Sequence, residues 1–147
     1  MKEPLLISAC LLGVGCRYDG RRVEKIDISR LRQRYSLIPV CPEQLGGLPT
    51  PRIPSERVGD RVLMQDGTDV TEQFRLGAEE ALRLAHALGA TKALLKLRSP
   101  SCGKSLVYDG SFSGTLTNRG GVAAELLLLE GIAVFGEDEL HLLLEEN

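Results

Sequence analysis

Three short segments of this chain set a thiol beside small or polar residues: Ser8-Ala9-Cys10-Leu11-Leu12-Gly13, Val40-Cys41-Pro42-Glu43 and Ser99-Pro100-Ser101-Cys102-Gly103. Thiolate sulfur is a soft ligand for zinc and iron. In a reducing compartment, cysteines at structured positions are more often metal-binding, catalytic or core than disulfide-bonded. Cys10, Cys41 and Cys102 are therefore candidate ligands of a metal or cluster. A closed zinc site needs four ligands, yet the sequence holds no C-x2-C knuckle, and five residues separate Cys10 from Cys16. The close-spaced cysteine run of ferredoxins is missing as well. Any site made from these thiols must be assembled by the fold from distant segments. Three thiolates leave one tetrahedral corner, or one iron of a cubane cluster, without a protein ligand. An open position of that kind can bind and polarise a substrate atom, sulfur included.

Two polar residues travel with the thiols. Glu43 lies two residues after Cys41, and Ser101 immediately precedes Cys102. A carboxyl beside a partly desolvated metal site has a raised pKa and can exchange protons with substrate or water, and a hydroxyl there can relay a proton or hydrogen-bond a sulfur. The simpler roles are a surface arginine partner for Glu43 and a turn or helix cap for Ser101. Cys16, between Gly13-Val14-Gly15 and Arg17-Tyr18-Asp19-Gly20, is either a fourth ligand or a small hydrophobe packed in a turn.

The elements that must position these residues read as alternating strands and helices. Near-continuous apolar runs at Leu5-Leu6-Ile7-Ser8-Ala9, Leu37-Ile38-Pro39-Val40-Cys41, Ala93-Leu94-Leu95-Lys96-Leu97 and Gly131-Ile132-Ala133-Val134-Phe135 suit strands buried on both faces. Phe74, Ala78, Ala81, Leu82, Ala85 and Leu88 recur at helical spacing, which predicts a helix from Thr71 to Leu88 stopped by Gly89. Further helices are expected over Val122–Leu129, Ile26–Arg34 and Glu137–Glu145. The expectation is an α/β fold, one domain over 1–147, with a mainly parallel, Rossmann-like sheet and flanking helices. The first three strands run into the cysteine motifs, which places the site at strand carboxyl ends, where open α/β sheets bind ligands. The Gly46–Pro54 stretch, rich in glycine and proline, reads as an ordered site loop. Gly120-Gly121, opening a helix, offers backbone N–H groups to a phosphate or makes a tight turn.

Composition narrows the function classes. The 147 residues are 43% hydrophobic and 26% charged, with a net charge of −2, which suits one globular core and gives no electrostatic case for DNA. Arg17, Arg21, Arg22, Lys25, Arg30, Arg32 and Arg34 form a local basic stretch, read as a solvated face or a phosphate contact. No run approaches the roughly 18 apolar residues of a membrane span, and the apolar stretch after Pro4 is too short for a signal-peptide core. No membrane partner and a cytoplasmic location are expected.

Taken together, the three cysteine motifs resemble the DUF523 family. Further matches are Arg17-Tyr18-Asp19-Gly20, Gly46-Gly47-Leu48, Thr50-Pro51-Arg52, Asp69-Val70-Thr71 with Phe74 and Gly77-Ala78, and Gly120-Gly121-Val122. The resemblance runs in order over nearly the whole chain. That family includes thiouracil desulfidases whose 4Fe-4S cluster is held by only three cysteines. The resemblance implies such a cluster on Cys10, Cys41 and Cys102 with one open iron, and Glu43 and Ser101 as the catalytic residues. The implied substrate is a small thiolated pyrimidine, either thiouracil or its nucleoside or nucleotide, whose sulfur leaves as hydrogen sulfide without net redox change.

Overall fold

Leu5, Leu6 and Ile7 are inaccessible to solvent, as a strand covered on both faces requires. The computed structural model describes residues 2–22, 24 and 26–145. Met1, Val23, Lys25 and the last two residues of the expected 1–147 domain lie outside the described residues. Strand β1 (Glu3–Ser8) passes through a 3-10 turn (Ala9–Leu12) towards helix α1 (Ser29–Arg34), β2 (Tyr35–Val40) and the single-turn helix α2 (Pro42–Leu45). A hairpin of β3 (Ser55–Val58) and β4 (Arg61–Met64) precedes the long helix α3 (Thr71–Leu88) and β5 (Lys92–Leu95). A short ribbon of β6 (Val107–Tyr108) and β7 (Leu116–Thr117) leads to α4 (Val122–Leu129). The chain then forms β8 (Ala133–Gly136), a 3-10 turn (Glu137–Glu139) and α5 (Leu140–Leu144).

Strands β2, β1, β5 and β8 form one parallel sheet in that order. Because side chains alternate across a strand, Leu5, Ile7 and Leu94 pack with Leu31 of α1 and Leu143 of α5 on one face. Leu6, Ala93 and Leu95 pack on the other face with Ala81 and Ala85 of α3 and Ala124 and Leu127 of α4. The expected α/β architecture is the one observed. From β1 the chain moves outward to β2 and then returns past β1 to β5. The segments leaving β1 and β5 therefore diverge and open a crevice at the carboxyl ends.

Element boundaries move where local hydrogen bonds decide them. Ala9 joins the 3-10 turn, Cys41 lies just beyond β2, and Lys96 and Leu97 lie beyond β5. The helix expected from Ile26 begins at Ser29, because the Asp27 carboxylate accepts both the Ser29 N–H at 3.0 Å and its hydroxyl at 2.8 Å. The strand expected from Gly131 begins at Ala133. Gly131, at φ 83°, and Ile132 instead close α4 by donating to the Leu128 and Leu127 carbonyls. The helix expected over 137–145 divides into the 3-10 turn and α5. The β3–β4 and β6–β7 ribbons are antiparallel additions that the sequence reading did not contain.

One contact sets α2 in place. A Cβ on Gly46 would overlap the Gln73 carbonyl, and one on Gly77 would overlap the Pro42 carbonyl. This glycine pair lets the Cys41–Leu45 segment lie directly on α3. The Gly46–Pro54 stretch beyond it contains no helix or strand. Among the described residues, no helix is long and apolar enough to cross a membrane.

Candidate functional site

The strand ends bring the candidate thiols to one place. Cys10 sits in the turn after β1, Cys41 between β2 and α2, and Cys102 in the loop after β5. All three line a cavity of about 390 Å³, together with Glu43 and Ser101. The Cys102 loop is built on its own polar groups. The Ser99 hydroxyl oxygen accepts the N–H groups of Ser101 and Cys102 at 3.2 and 3.1 Å. The first turn of α4 donates Val122 N–H to the Pro100 carbonyl and the Ala123 and Ala124 N–H groups to the Ser101 carbonyl. Gly121 permits this approach, since a Cβ there would overlap the Ser101 backbone.

These bonds correct one expectation. The Gly121 N–H donates to the Gly103 carbonyl at 2.6 Å, and the Gly120 N–H donates to the Glu125 carboxylate at 3.3 Å. The glycine pair thus serves the chain's own backbone and offers no free N–H cradle to a phosphate. Ser101 does act in capping α4, but through its carbonyl. Its buried hydroxyl donates to Cys102 Sγ at 3.6 Å and lies 3.0 Å from Ser99 Oγ.

Cys16 also lines the cavity and is 3% exposed. Its thiol neighbours those of Cys10 and Cys41 in the cavity lining, and Cys41 Sγ donates to the Cys16 carbonyl oxygen at 3.9 Å. The turn at Gly13, with φ 85°, folds the segment back over the end of β1. The sequence signal for this was the glycine-flanked position of Cys16 shortly after Cys10.

Glu43 does have an arginine partner, but a buried one. Arg52 Nη2 donates to Glu43 Oε2 at 3.0 Å, with the two side chains only 2% and 16% exposed. Arg52 was legible only as part of a motif, and its contact with Glu43 is set by the turn between them. The outer wall of the cavity includes Arg17, Tyr18, Lys96, Arg98 and Tyr108. The rest of the basic stretch is mainly a solvated face: Arg21, Arg30 and Arg32 are exposed, and Arg22 donates to the Gly13 carbonyl. Lys25 lies outside the described residues.

Burial governs the protonation of the site. It pushes the Cys102 thiol up to about 12, against hydrogen bonds from the Ser8 and Ser101 hydroxyls that favour the thiolate. The Cys41 thiol is raised by its hydrogen bond with Cys16 and then by burial. Cys16 is raised chiefly by its bond with Cys10. Desolvation lifts the Glu43 carboxyl above its usual range, outweighing the opposing pull of Arg52. Cys16, Cys41 and Cys102 are thus favoured as neutral thiols, and a thiol becomes anionic when a cationic guest supplies the missing charge. Among the described residues, no three His, Cys, Asp or Glu side chains converge closely enough to hold a single metal ion. The thiols instead surround a volume.

An α/β sheet whose strand ends gather thiols, a part-buried carboxylate and a buried serine around one cavity places a thiol-lined site at a topological switch point. Residues 5–139 match the 2-thiouracil desulfurase family model, and the chain belongs to that family. It is 37% identical over 147 residues to the uncharacterized protein YbbK of Bacillus subtilis (strain 168), an alignment that covers 93% of this chain and 97% of that protein. It is also similar to the solved structure of the 4Fe-4S-dependent thiouracil desulfidase TudS (DUF523Vcz). The TM-score is 0.90 at 45% identity, with 97% of this chain and 95% of that one covered. The DUF523 resemblance read from the cysteine motifs stands.

Proposed function

We propose that this chain is a thiouracil desulfidase that holds a 4Fe-4S cluster on Cys10, Cys41 and Cys102 and leaves one iron open. The observation that carries this reading is the convergence of those thiols, Glu43 and Ser101 on one cavity at the ends of β1, β2 and β5. Four cysteines face that cavity, and Cys102 is favoured over Cys16 as the third ligand because the Ser101 hydroxyl donates to its sulfur at 3.6 Å. That bond stabilises a thiolate, and the Cys16 thiol has no hydroxyl donor among the described residues.

When bound, the cluster supplies a thiophilic Lewis acid that polarises a thiocarbonyl. The protein's part is positioning and proton transfer. Glu43, on the cavity wall, takes the proton from water as its oxygen bonds the thiocarbonyl carbon. The Ser101 hydroxyl, backed by Ser99, gives its proton to the sulfur as the carbon–sulfur bond breaks and is reprotonated by Glu43, while the second water proton passes from the new carbonyl oxygen to the sulfur. One thiocarbonyl and one water become one carbonyl and one hydrogen sulfide, with no electron gained or lost. A cavity of about 390 Å³ is at the small end of the roughly 300–1,000 Å³ of ligand pockets. It suits a thiolated pyrimidine rather than a long polymer.

A second reading follows from Cys16: a closed, non-catalytic site with four cysteine ligands. Iron, sulfide and zinc content of protein purified without oxygen separates the two, followed by an assay of thiouracil conversion to uracil and sulfide. The desulfidase reading expects about four iron and four sulfide per chain. Cluster loss is expected in Cys10→Ser, Cys41→Ser and Cys102→Ser, and retention in Cys16→Ser. Stoichiometric zinc without sulfide, lost in Cys16→Ser, would establish the closed site.

A further inference from the structure

Glu43 has only one side-chain hydrogen-bond partner among the described residues, and that partner stands behind the cavity rather than in it. Glu43 Oε2 accepts from Arg52 at 3.0 Å. Among the described residues its other oxygen has no hydrogen bond and is not a buried unpartnered atom, so it is accessible, on a side chain that lines the cavity. Arg52 does not line that cavity. Its Nη1 donates to the Pro49 carbonyl at 3.1 Å and to Thr50 Oγ1 at 2.9 Å, and its Nη2 donates to Glu43 and to the Cys16 carbonyl at 3.0 Å. Thr50 Oγ1 is itself held by Gln44 Nε2 at 2.8 Å, and the Arg52 N–H donates to the Tyr18 carbonyl. The guanidinium therefore has one orientation, with the Cys16 segment, the Thr50 turn and Glu43 around it.

Resting on the desulfidase reading, we infer that Arg52 is the positioning residue for Glu43: its fixed guanidinium pins one carboxylate oxygen and presents the other to the substrate. A free glutamate side chain samples several rotamers, and misplacing a reacting group by about 1 Å costs on the order of 100-fold in rate. Lysine keeps the charge but cannot reproduce a planar fork with four acceptors. The role acts through Glu43, which sets it apart from simple support of the loop.

The test combines Arg52→Gln, Arg52→Lys and Glu43→Gln, with the double variant Glu43→Gln/Arg52→Gln, in anaerobically prepared protein. Arg52→Gln is expected to keep its iron and sulfide, lower kcat by about 10- to 100-fold and leave KM within a few-fold. In the Glu43→Gln background it should cost nothing further. Wild-type turnover of Arg52→Gln, or a loss that multiplies with that of Glu43→Gln, overturns the inference. So does a loss fully explained by missing iron. Should Arg52→Gln fail to fold, Arg52→Lys and Thr50→Val carry the question, and full kcat in both overturns it. Thermal unfolding of the metal-free variants gives a readout independent of turnover: the Arg52→Lys and Glu43→Gln shifts in Tm should be non-additive, and additive shifts oppose the inference. If wild-type protein releases no sulfide from thiouracil, the desulfidase reading fails, while this coupling still reports whether Arg52 holds Glu43.

Discussion

Two buried arginines in this fold are each paired with a glutamate, and the pairs behave in opposite ways. Arg52 and Arg57 have side chains 2% and 5% exposed, and each leaves its Nε buried without a partner. Arg57, on β3, donates to Glu125 of α4 at 2.7 Å and to the Gly120 carbonyl at 2.9 Å. Glu125 also accepts Arg119 Nε at 3.1 Å. Burial pushes Glu125 up, but its hydrogen bonds from Arg119 and Arg57 outweigh this and hold the carboxyl below its usual range. Glu43 shares a single guanidinium with the Cys16 and Pro49 carbonyls and Thr50, and there burial prevails. A glutamate with two arginines is held towards its anion and braces the β3 hairpin against α4, whereas one with part of an arginine is held towards its neutral form. The difference lies in how many donors meet the carboxylate.

Glu43→Gln should break the site member of this comparison most severely. The variant keeps a group of the same shape that Arg52 can still hydrogen-bond, so iron and sulfide content should stay at the wild-type level. Turnover should fall by about 100- to 10,000-fold, the usual contribution of a general acid or base. Ser101→Ala should fall in the same direction, also with its iron retained. Steady-state release of sulfide, normalised to iron, reads both. Near-full turnover in Glu43→Gln with intact iron would remove Glu43 from the proton-transfer role.

Glu125→Gln tests the brace. It leaves Arg57 buried with the Gly120 carbonyl but without an anion, and uncompensated buried charge is what makes a broken pair costly. Because Glu125 is partly exposed, at 38%, the expected loss is about 2–3 kcal/mol, below the roughly 3–5 kcal/mol of a fully buried pair. Urea unfolding of the metal-free chain measures it. Glu43→Gln should cost less in the same experiment, since it replaces a carboxylate whose ionised form the fold already disfavours. Equal losses would mean that the two pairs are both structural.

Much of the site's membership was legible because thiols are scarce and their neighbours distinctive. The runs before Cys10, Cys41 and Cys102 read as strands, and parallel strands bring their carboxyl ends together whatever lies between them. The long helix Thr71–Leu88 was legible for the same reason that it is stable: it carries a regular apolar stripe and a glycine stop at φ 74°. Arg52 was not legible as the partner of Glu43, because that contact depends on the Gly46–Thr50 turn and on the Gly46–Gly77 approach that seats α2. Cys16 was left open because a short loop can point a thiol inward or outward at nearly the same sequence cost. The β6–β7 ribbon was hidden by its shortness, since two residues carry no periodicity, and the four-residue strands β3 and β4 carry little more.

The pH dependence of stability in the metal-free chain sharpens the comparison with the smallest signal. The folded-state pKa of Glu125 lies below the ordinary 4.5, so its contribution is present above that value and is lost as pH falls through the lowered pKa. For Glu43 the sign reverses. Its folded-state pKa lies above 4.5, so its contribution is fully present below that value and is lost as pH rises through the raised pKa. Urea midpoints measured across this range should show Glu125→Gln flattening the acid limb and Glu43→Gln flattening the limb above 4.5. The two glutamates would then be separable by which proton equilibrium each couples to folding. If both substitutions flatten the same limb, the single shared guanidinium of Arg52 compensates Glu43 as fully as the arginine pair compensates Glu125, and the physical basis for treating Glu43 as the proton-exchanging member is gone.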